Sequence, residues 1–301
     1  MSNMKRNRIK KRGSDRMLNI IFTAIVAIYS LAVLYPLIFV VSASFSSGQA
    51  VNSGRVLLWP VEFSLGGYDL VFANKTVWSG YKNTIIYTVA GTCVNLILTI
   101  LAAYPLSRKD FSGKGICMTL FMIPMFFGGG LIPTYILMGN LGLVNTRWAI
   151  ILSGAVSTYN VVVMRTFFMN SIPYELFEAA KIDGITDIGY LGRIVMPLSK
   201  AVVAVVTMFY AVGHWNSYFN AMIYLRRQEL LPLQNILRSI TESVKLDRQN
   251  FANAEEYASM AGAVDVMKYA LVVVATVPIL VAYPFIQKYF EKGVTFGSVK
   301  G

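Results

Sequence analysis

The 301-residue chain is 55% apolar and only 14% charged, with a mean hydropathy of +0.56. This excludes an ordinary soluble domain, in which about a quarter of residues are charged. Its net charge of +12 comes from 27 basic residues against 15 acids, distributed as membrane topology demands rather than as a nucleic-acid patch. One histidine and two cysteines, Cys93 and Cys117, give neither a disulfide framework nor a zinc site.

A basic arm, 1–16, opens the chain. Six stretches free of Asp, Glu, Lys and Arg follow: 17–54, 83–107, 115–146, 148–164, 201–225 and 269–287. Each is near or above the roughly 20 residues that cross a hydrocarbon core as helix, with 148–164 at the lower edge. The expected fold is therefore all-α, a polytopic membrane protein with six transmembrane helices over 17–287 and a tail at 288–301. The runs lack the alternation of barrel strands. The first run is far longer than the apolar region of a signal peptide, so it is read as a span.

Six spans place both termini on one side. If that side is cytoplasmic, it holds the arm, the loop 108–114, the stretch 165–200 and the tail. Together these carry 17 of the 27 basic residues and seven acids, a balance of +10, which leaves +2 for the outside. The asymmetry follows the positive-inside rule.

The third run holds Pro124, then Gly128, Gly129 and Gly130, then Pro133, and should be interrupted at depth, as either a pathway-lining break or a packing kink. The fifth run ends in His214, Trp215, Asn216, Tyr218 and Asn220, which combine rings for stacking on sugar faces with amides for hydroxyls. Interhelical packing is the alternative reading of that cluster. The outer loop 226–262 carries Leu233, Ile236, Leu237, Ile240 and Val244 at helical spacing, which reads as an amphipathic helix on the outer membrane surface. The loop 46–82 is expected to pack over the outer mouth.

No run contains a charged side chain, and no phosphate-binding glycine loop is present, since "SGKGI" at 112–116 lacks the preceding glycines. Such a chain cannot power transport by itself. It also lacks nucleophile, metal and acid–base motifs, which weighs against a membrane-embedded enzyme. A membrane scaffold is the other alternative.

Between the fourth and fifth runs lies "ELFEAAKIDGITDIGYLGRIVMPLSK", 175–200, within a polar segment 171–200. Ser171 and Pro173 mark a helix start, and Glu175 and Glu178 suit a helix N-terminus. Leu176, Phe177, Ala180 and Ile182 form the expected apolar face. Asp183 and Gly184 break the helix, and a second one runs from Asp187 towards Pro197, which bends the chain into the fifth run. Glu178, Ala179, Ala180, then Asp183 and Gly184, then Ile194 and Pro197 resemble the EAA loop of bacterial ATP-binding-cassette importer permeases. The resemblance extends to "AYPLSRKDFSGK" at 103–114, "WNSYFNA" at 215–221 and the tail, and so covers nearly the whole chain. One departure is Ala201, where many relatives have a second proline.

The resembled branch takes up carbohydrates, and "SASFSSGQAV", "MFFGGGLIPTY" and "GHWNSYFNAMIYL" are most similar to its permeases for complex oligosaccharides, including aldouronate and pectin-derived fragments. The resemblance implies the transmembrane domain of a type I importer in a bacterial plasma membrane, with both termini cytoplasmic. It implies a second, similar permease, two copies of a cytosolic ATPase and an extracellular sugar-binding lipoprotein as partners. No cofactor is expected on this chain, because the ATPase uses the ATP. Coupling to that ATPase would fall to Glu178, Ala179, Ala180, Asp183, Gly184 and Pro197. Substrate contact would fall to Trp215, Asn216, Tyr218, Asn220 and Gly129. In the resembled family the outer loop touches the binding protein.

Overall fold

The computed structural model describes residues 13–247 and 254–298; parts of the basic arm (1–12), the outer loop (248–253) and the tail (299–301) lie outside the described residues. Among the described residues every regular element is helical. The chain begins with α1 (Gly13–Ser44), α2 (Gly48–Asn52), α3 (Gly66–Ala73), α4 (Lys75–Ser107), α5 (Lys114–Phe126) and α6 (Leu131–Asn140). It continues through α7 (Arg147–Leu152), α8 (Thr158–Ser171), α9 (Glu175–Ile182), α10 (Asp187–Tyr190), a π-helical turn at Leu191–Val195 and α11 (Met196–Leu198). The last elements are α12 (Lys200–Trp215), α13 (Phe219–Tyr224), α14 (Leu233–Asp247) and α15 (Ala254–Ser298).

Two compact units make up the chain: Met1–Val71 with Leu246–Val273, and Phe72–Lys245 with Val274–Gly301. In the first, α1 leaves most of its apolar side chains exposed, as expected of a helix covered by lipid or by another chain. Its last turn is tied down instead. Ser42 Oγ donates to Leu58 O (2.6 Å), and Ser46 Oγ donates to Ser42 O (2.7 Å) while accepting from Val61 N (3.0 Å). Ser47 then caps α2 by accepting from Ala50 N at 3.2 Å, so the expected first run, 17–54, ends as a helix at Ser44. Gly48 and Gly262 face each other so closely that a Cβ on either would strike the other's backbone.

The second unit is built around α4, which packs along α12 and α8. One face of α4 carries Asn83, Thr84, Tyr87, Gly91, Asn95 and Thr99, all buried at helical spacing. In an apolar solvent such groups must turn towards protein, and they do. His214 of α12 sits on Gly91, where a side chain would collide with the imidazole, and its Nε2 lies 2.9 Å from Asn95 Nδ2. Thr99 Oγ1 and Tyr210 Oη are 2.7 Å apart.

Farther along α4, Asn83 Nδ2 donates to Glu229 O (2.7 Å), Tyr87 Oη donates to Leu230 O (2.7 Å), and Thr84 Oγ1 accepts from Leu233 N (2.9 Å). These bonds bring α14 onto α4. Leu233 is fully buried and Ile236 is 2% exposed, and a Cβ at Gly80 would touch Ile236. The amphipathic helix expected in the outer loop therefore exists, and Leu233 and Ile236 of its apolar face are covered by α4. A periodic stripe says that a face is buried without saying what buries it.

Three of the expected runs contain continuous helices long and apolar enough to cross a membrane: Met17–Ser44, Lys75–Ser107 and Gly262–Pro284. The third run is a bent pair, Lys114–Phe126 with Leu131–Asn140 at 117°, and the fifth begins with the helix Lys200–Trp215, set at 86° to the preceding segment Asp187–Leu198. The remaining run, 148–164, forms no single spanning helix. It is split between α7 and α8 by a break at which Gly154 takes a φ of +71°.

Candidate functional site

The stretch that resembles the EAA loop folds as a short helix, a tight turn and a second helical limb. Glu175 and Glu178 occupy the first turn of α9 and Lys181 its last, each favourable for the helix dipole. The helix is closed by a Schellman motif: Ile185 N donates to Ala180 O (2.9 Å), and Gly184 N donates to Lys181 O (3.1 Å). Gly184 has a φ of +72°, the left-handed conformation that the motif requires, and no atom lies within 4 Å of where its Cβ would be. Thr186 then caps α10, accepting from Gly189 N at 3.2 Å. Pro197 is exposed near the start of α11, and the 86° bend follows at Ser199. Ser171 ends α8 instead of starting α9, whose first residue follows Tyr174 without a side-chain cap.

Phe177 and Ala180 point into the core of this unit, at 5% and 3% exposed. Ile182 was expected on the same face but is 87% exposed, and Ile188 on the second limb is 83% exposed. Ile182 lies five residues after Phe177, about 140° round the helix, so it belongs to another face. Glu178, Ala179, Asp183 and Gly184 are exposed as well, and neither Glu178 nor Asp183 has an ion-pair partner among the described residues. The result is a helix–turn–helix element whose outer face carries two bare isoleucines and, among the described residues, carboxylates without ion-pair partners.

The other candidates gather at two helix breaks. Gly129 lies in the open break between α5 and α6, with no neighbour within 4 Å of its Cβ position, and Gly130 takes a φ of +83°. The two helices meet at 117° across this break, between Pro124 and Pro133. Trp215, Asn216, Tyr218 and Asn220 surround the break between α12 and α13. Trp215 is 9% exposed; its Nε1 donates to Ala275 O (3.0 Å) and its ring meets Tyr81 edge-on at 6.2 Å. It is thus packed as an anchor, with its polar atom already used. Asn216 is exposed, while Tyr218 and Asn220 are half-buried. Tyr218 Oη donates to Met222 Sδ (3.0 Å), and Arg238 lies 5.1 Å from its ring centroid.

Residues 95–296 match the family model described as "Binding-protein-dependent transport system inner membrane component". The chain belongs to this family. It is 37% identical over 290 residues to the polygalacturonan/rhamnogalacturonan transport system permease protein YtcP of Bacillus subtilis (strain 168), covering 95% of this chain and 99% of that one. It is 38% identical over 266 residues to protein LplC of the same organism, covering 88% and 89%. A chain in the crystal structure of a bacterial ABC transporter that imports the acidic polysaccharide alginate superposes with a TM-score of 0.85 at 34% identity, over 94% of this chain and 99% of that chain. The protein is a transmembrane permease subunit of an ABC importer, with the all-α polytopic fold of that family.

In the permease the coupling-loop candidates from Glu178 to Gly184 form one element with Pro197 beyond it on α11, whereas the pathway candidates are divided between two breaks. Sequence reasoning missed the exposed Ile188 and the polar face of α4. For the last a signal existed: Asn83, Thr84, Tyr87, Asn95 and Thr99 recur at helical spacing inside a run read only as apolar.

The different settings of Trp215 and Asn216 separate two kinds of variant. Trp215→Ala should destabilise the permease by about 3–5 kcal/mol, the usual cost of deleting a large buried side chain, and should reduce the amount of assembled complex recovered from membranes. Asn216→Ala should leave that recovery unchanged and alter uptake kinetics alone. Normal recovery of Trp215→Ala would contradict the anchor role.

Proposed function

We propose that this permease forms half of the translocation pathway for an oligosaccharide rich in uronic acids, and that the α9–α10 element couples it to a cytosolic ATPase. The exposed protrusion around Gly184 carries this reading. Two bare isoleucines beside unpaired carboxylates suit a partner groove that buries the apolar pair and supplies basic groups at its rim. Ala179 has a small side chain that lets a partner helix approach closely. The partner set is a second, similar permease, an ATPase dimer and an extracellular sugar-binding lipoprotein. ATP is used by the ATPase, and this chain contributes motion and a path rather than catalysis.

Support for an acidic sugar comes from the relatives named for polygalacturonan and for alginate. On this chain Arg226 offers an exposed guanidinium whose Nη2 donates to Tyr135 Oη (3.3 Å), beside the half-buried Tyr135 ring, which is itself held by stacking on the buried Tyr224. A cation next to an accessible aromatic ring is the combination that a uronate, with its carboxylate and apolar ring face, can use. Asn216, Tyr218, Asn220 and Gly129 remain the proposed lining of the path.

The charge asymmetry supports an orientation with both termini, the loop 108–114 and the coupling element on the cytoplasmic side of a bacterial plasma membrane. With Cys93 and Cys117 replaced, Asn52→Cys should react with a membrane-impermeant thiol reagent added to intact cells. Ser112→Cys and Asp187→Cys should react only after permeabilisation. All three positions are exposed, so labelling of Asp187→Cys from outside would overturn the orientation.

A further inference from the structure

The segment "AYPLSRKDFSGK" belongs to the family resemblance yet has no part in the functions above. Its centre is Arg108, the residue that caps α4, with its N–H donating to Pro105 O at 3.0 Å. The side chain is 11% exposed. Its guanidinium carbon stands 3.1 Å from the ring centroid of Phe177 and 5.7, 5.9 and 6.0 Å from those of Tyr190, Tyr174 and Tyr104. Asp110 balances the charge, with Oδ1 3.2 Å from Arg108 Nε.

The four rings come from different parts of the chain. Tyr104 is on α4, Tyr174 immediately precedes α9, Phe177 is on α9, and Tyr190 ends α10. One cation therefore touches α4 and both limbs of the coupling element. Two other bonds act on the same end of α4: Tyr104 Oη donates to Asp187 O (3.2 Å), and Arg165 Nε donates to Leu106 O (2.8 Å). A flat guanidinium can lie against a ring face while its edge meets a carboxylate, which an aliphatic plug could not do. α4 in turn packs along α8 and α12, so what is fixed to its end is fixed to the centre of the unit.

We infer that Arg108 is a positioning residue for energy coupling: its cation, held against Phe177 within a cage of four aromatic rings, locks the coupling element to the end of α4 so that displacement of α9 is transmitted to the spans. This rests on the reading that α9 and α10 dock on the ATPase.

The test uses the complete transporter in lipid nanodiscs and reads the ratio of ATP hydrolysis with and without binding protein loaded with oligogalacturonate. Phe177 is replaced by mono-, di- and trifluorinated phenylalanine, which keep its shape while draining the ring face of negative potential. The ratio should fall stepwise along the series, by about two- to thirtyfold in total, the range open to a desolvated cation–π pair. Arg108→Gln should fall as far, and Arg108→Lys should fall less. Lys181 also lies near Phe177, at 5.6 Å, so the series is repeated with Lys181→Gln, and its slope should persist. A flat series, or one whose slope vanishes with Lys181→Gln, overturns the inference even if Arg108→Gln fails to fold. If Gly184→Val uncouples while the fluorinated series is flat, only the role of Arg108 fails; if Gly184→Val is also silent, the coupling reading itself has failed.

Discussion

Gly184→Val is expected to uncouple the transporter, leaving sugar uptake at a few per cent or less of its normal rate. Crowding is not the reason, since the space around the missing Cβ is empty. The penalty lies in the backbone: at a φ of +72° an L-residue clashes with its own carbonyl, at a cost of about 1–2 kcal/mol that β-branching raises further. To escape, the turn must give up the Ile185–Ala180 and Gly184–Lys181 bonds and so redirect α10, moving Ile188 away from Ile182. Purified complexes should then either lose the ATPase or hydrolyse ATP without stimulation by loaded binding protein. Severity should rank Gly184→Asn below Gly184→Ala below Gly184→Val, because asparagine tolerates the left-handed region best. Glu178→Ala should be milder than Gly184→Val, since it removes one exposed carboxylate without changing the turn. A ranking by side-chain volume alone, with asparagine worse than alanine, would show that crowding and not conformation sets the effect.

The double variant Ile182→Asp with Ile188→Asp should prevent association with the ATPase while leaving the permease folded. Both side chains are more than four-fifths exposed, so the substitution removes nothing from the core of the free chain. In a complex each buried isoleucine contributes about 1.5–3 kcal/mol of apolar burial, and an unpaired carboxylate in its place adds a desolvation cost. The combined loss should exceed a thousandfold in affinity. Recovery of the permease from membranes should stay normal, and co-purified ATPase should disappear. Trp215→Ala is the converse case, with recovery lost first.

Much of this was legible in the sequence. Charge-free runs identify an all-α membrane fold because lipid tolerates few other arrangements, and Gly128–Gly130 between two prolines marks a break because neither residue type favours a continuous helix. Asp183–Gly184 announces a left-handed turn for the same local reason. Where tertiary partners decide, the sequence is silent. Nothing local to 148–164 distinguishes a span from α7 and α8 with a glycine turn between them, and helical period cannot say that α14 lies on α4. Trp215 reads equally as a sugar platform or an anchor until Ala275 O is seen to accept its N–H. Arg108 reads as one more positive-inside charge, because the rings that cage it are up to 82 residues away at Tyr190.

The central claim is that the exposed face of α9 and α10 is where the ATPase engages. A photo-cross-linking phenylalanine derivative at position Ile188, in the assembled transporter in native membranes, tests it most directly. The account predicts that the ATPase subunit is the main adduct, that its yield changes between the nucleotide-free and ATP-bound states, and that the Gly184→Val background suppresses it. Adducts confined to lipid, to the partner permease or to the extracellular binding protein would contradict it.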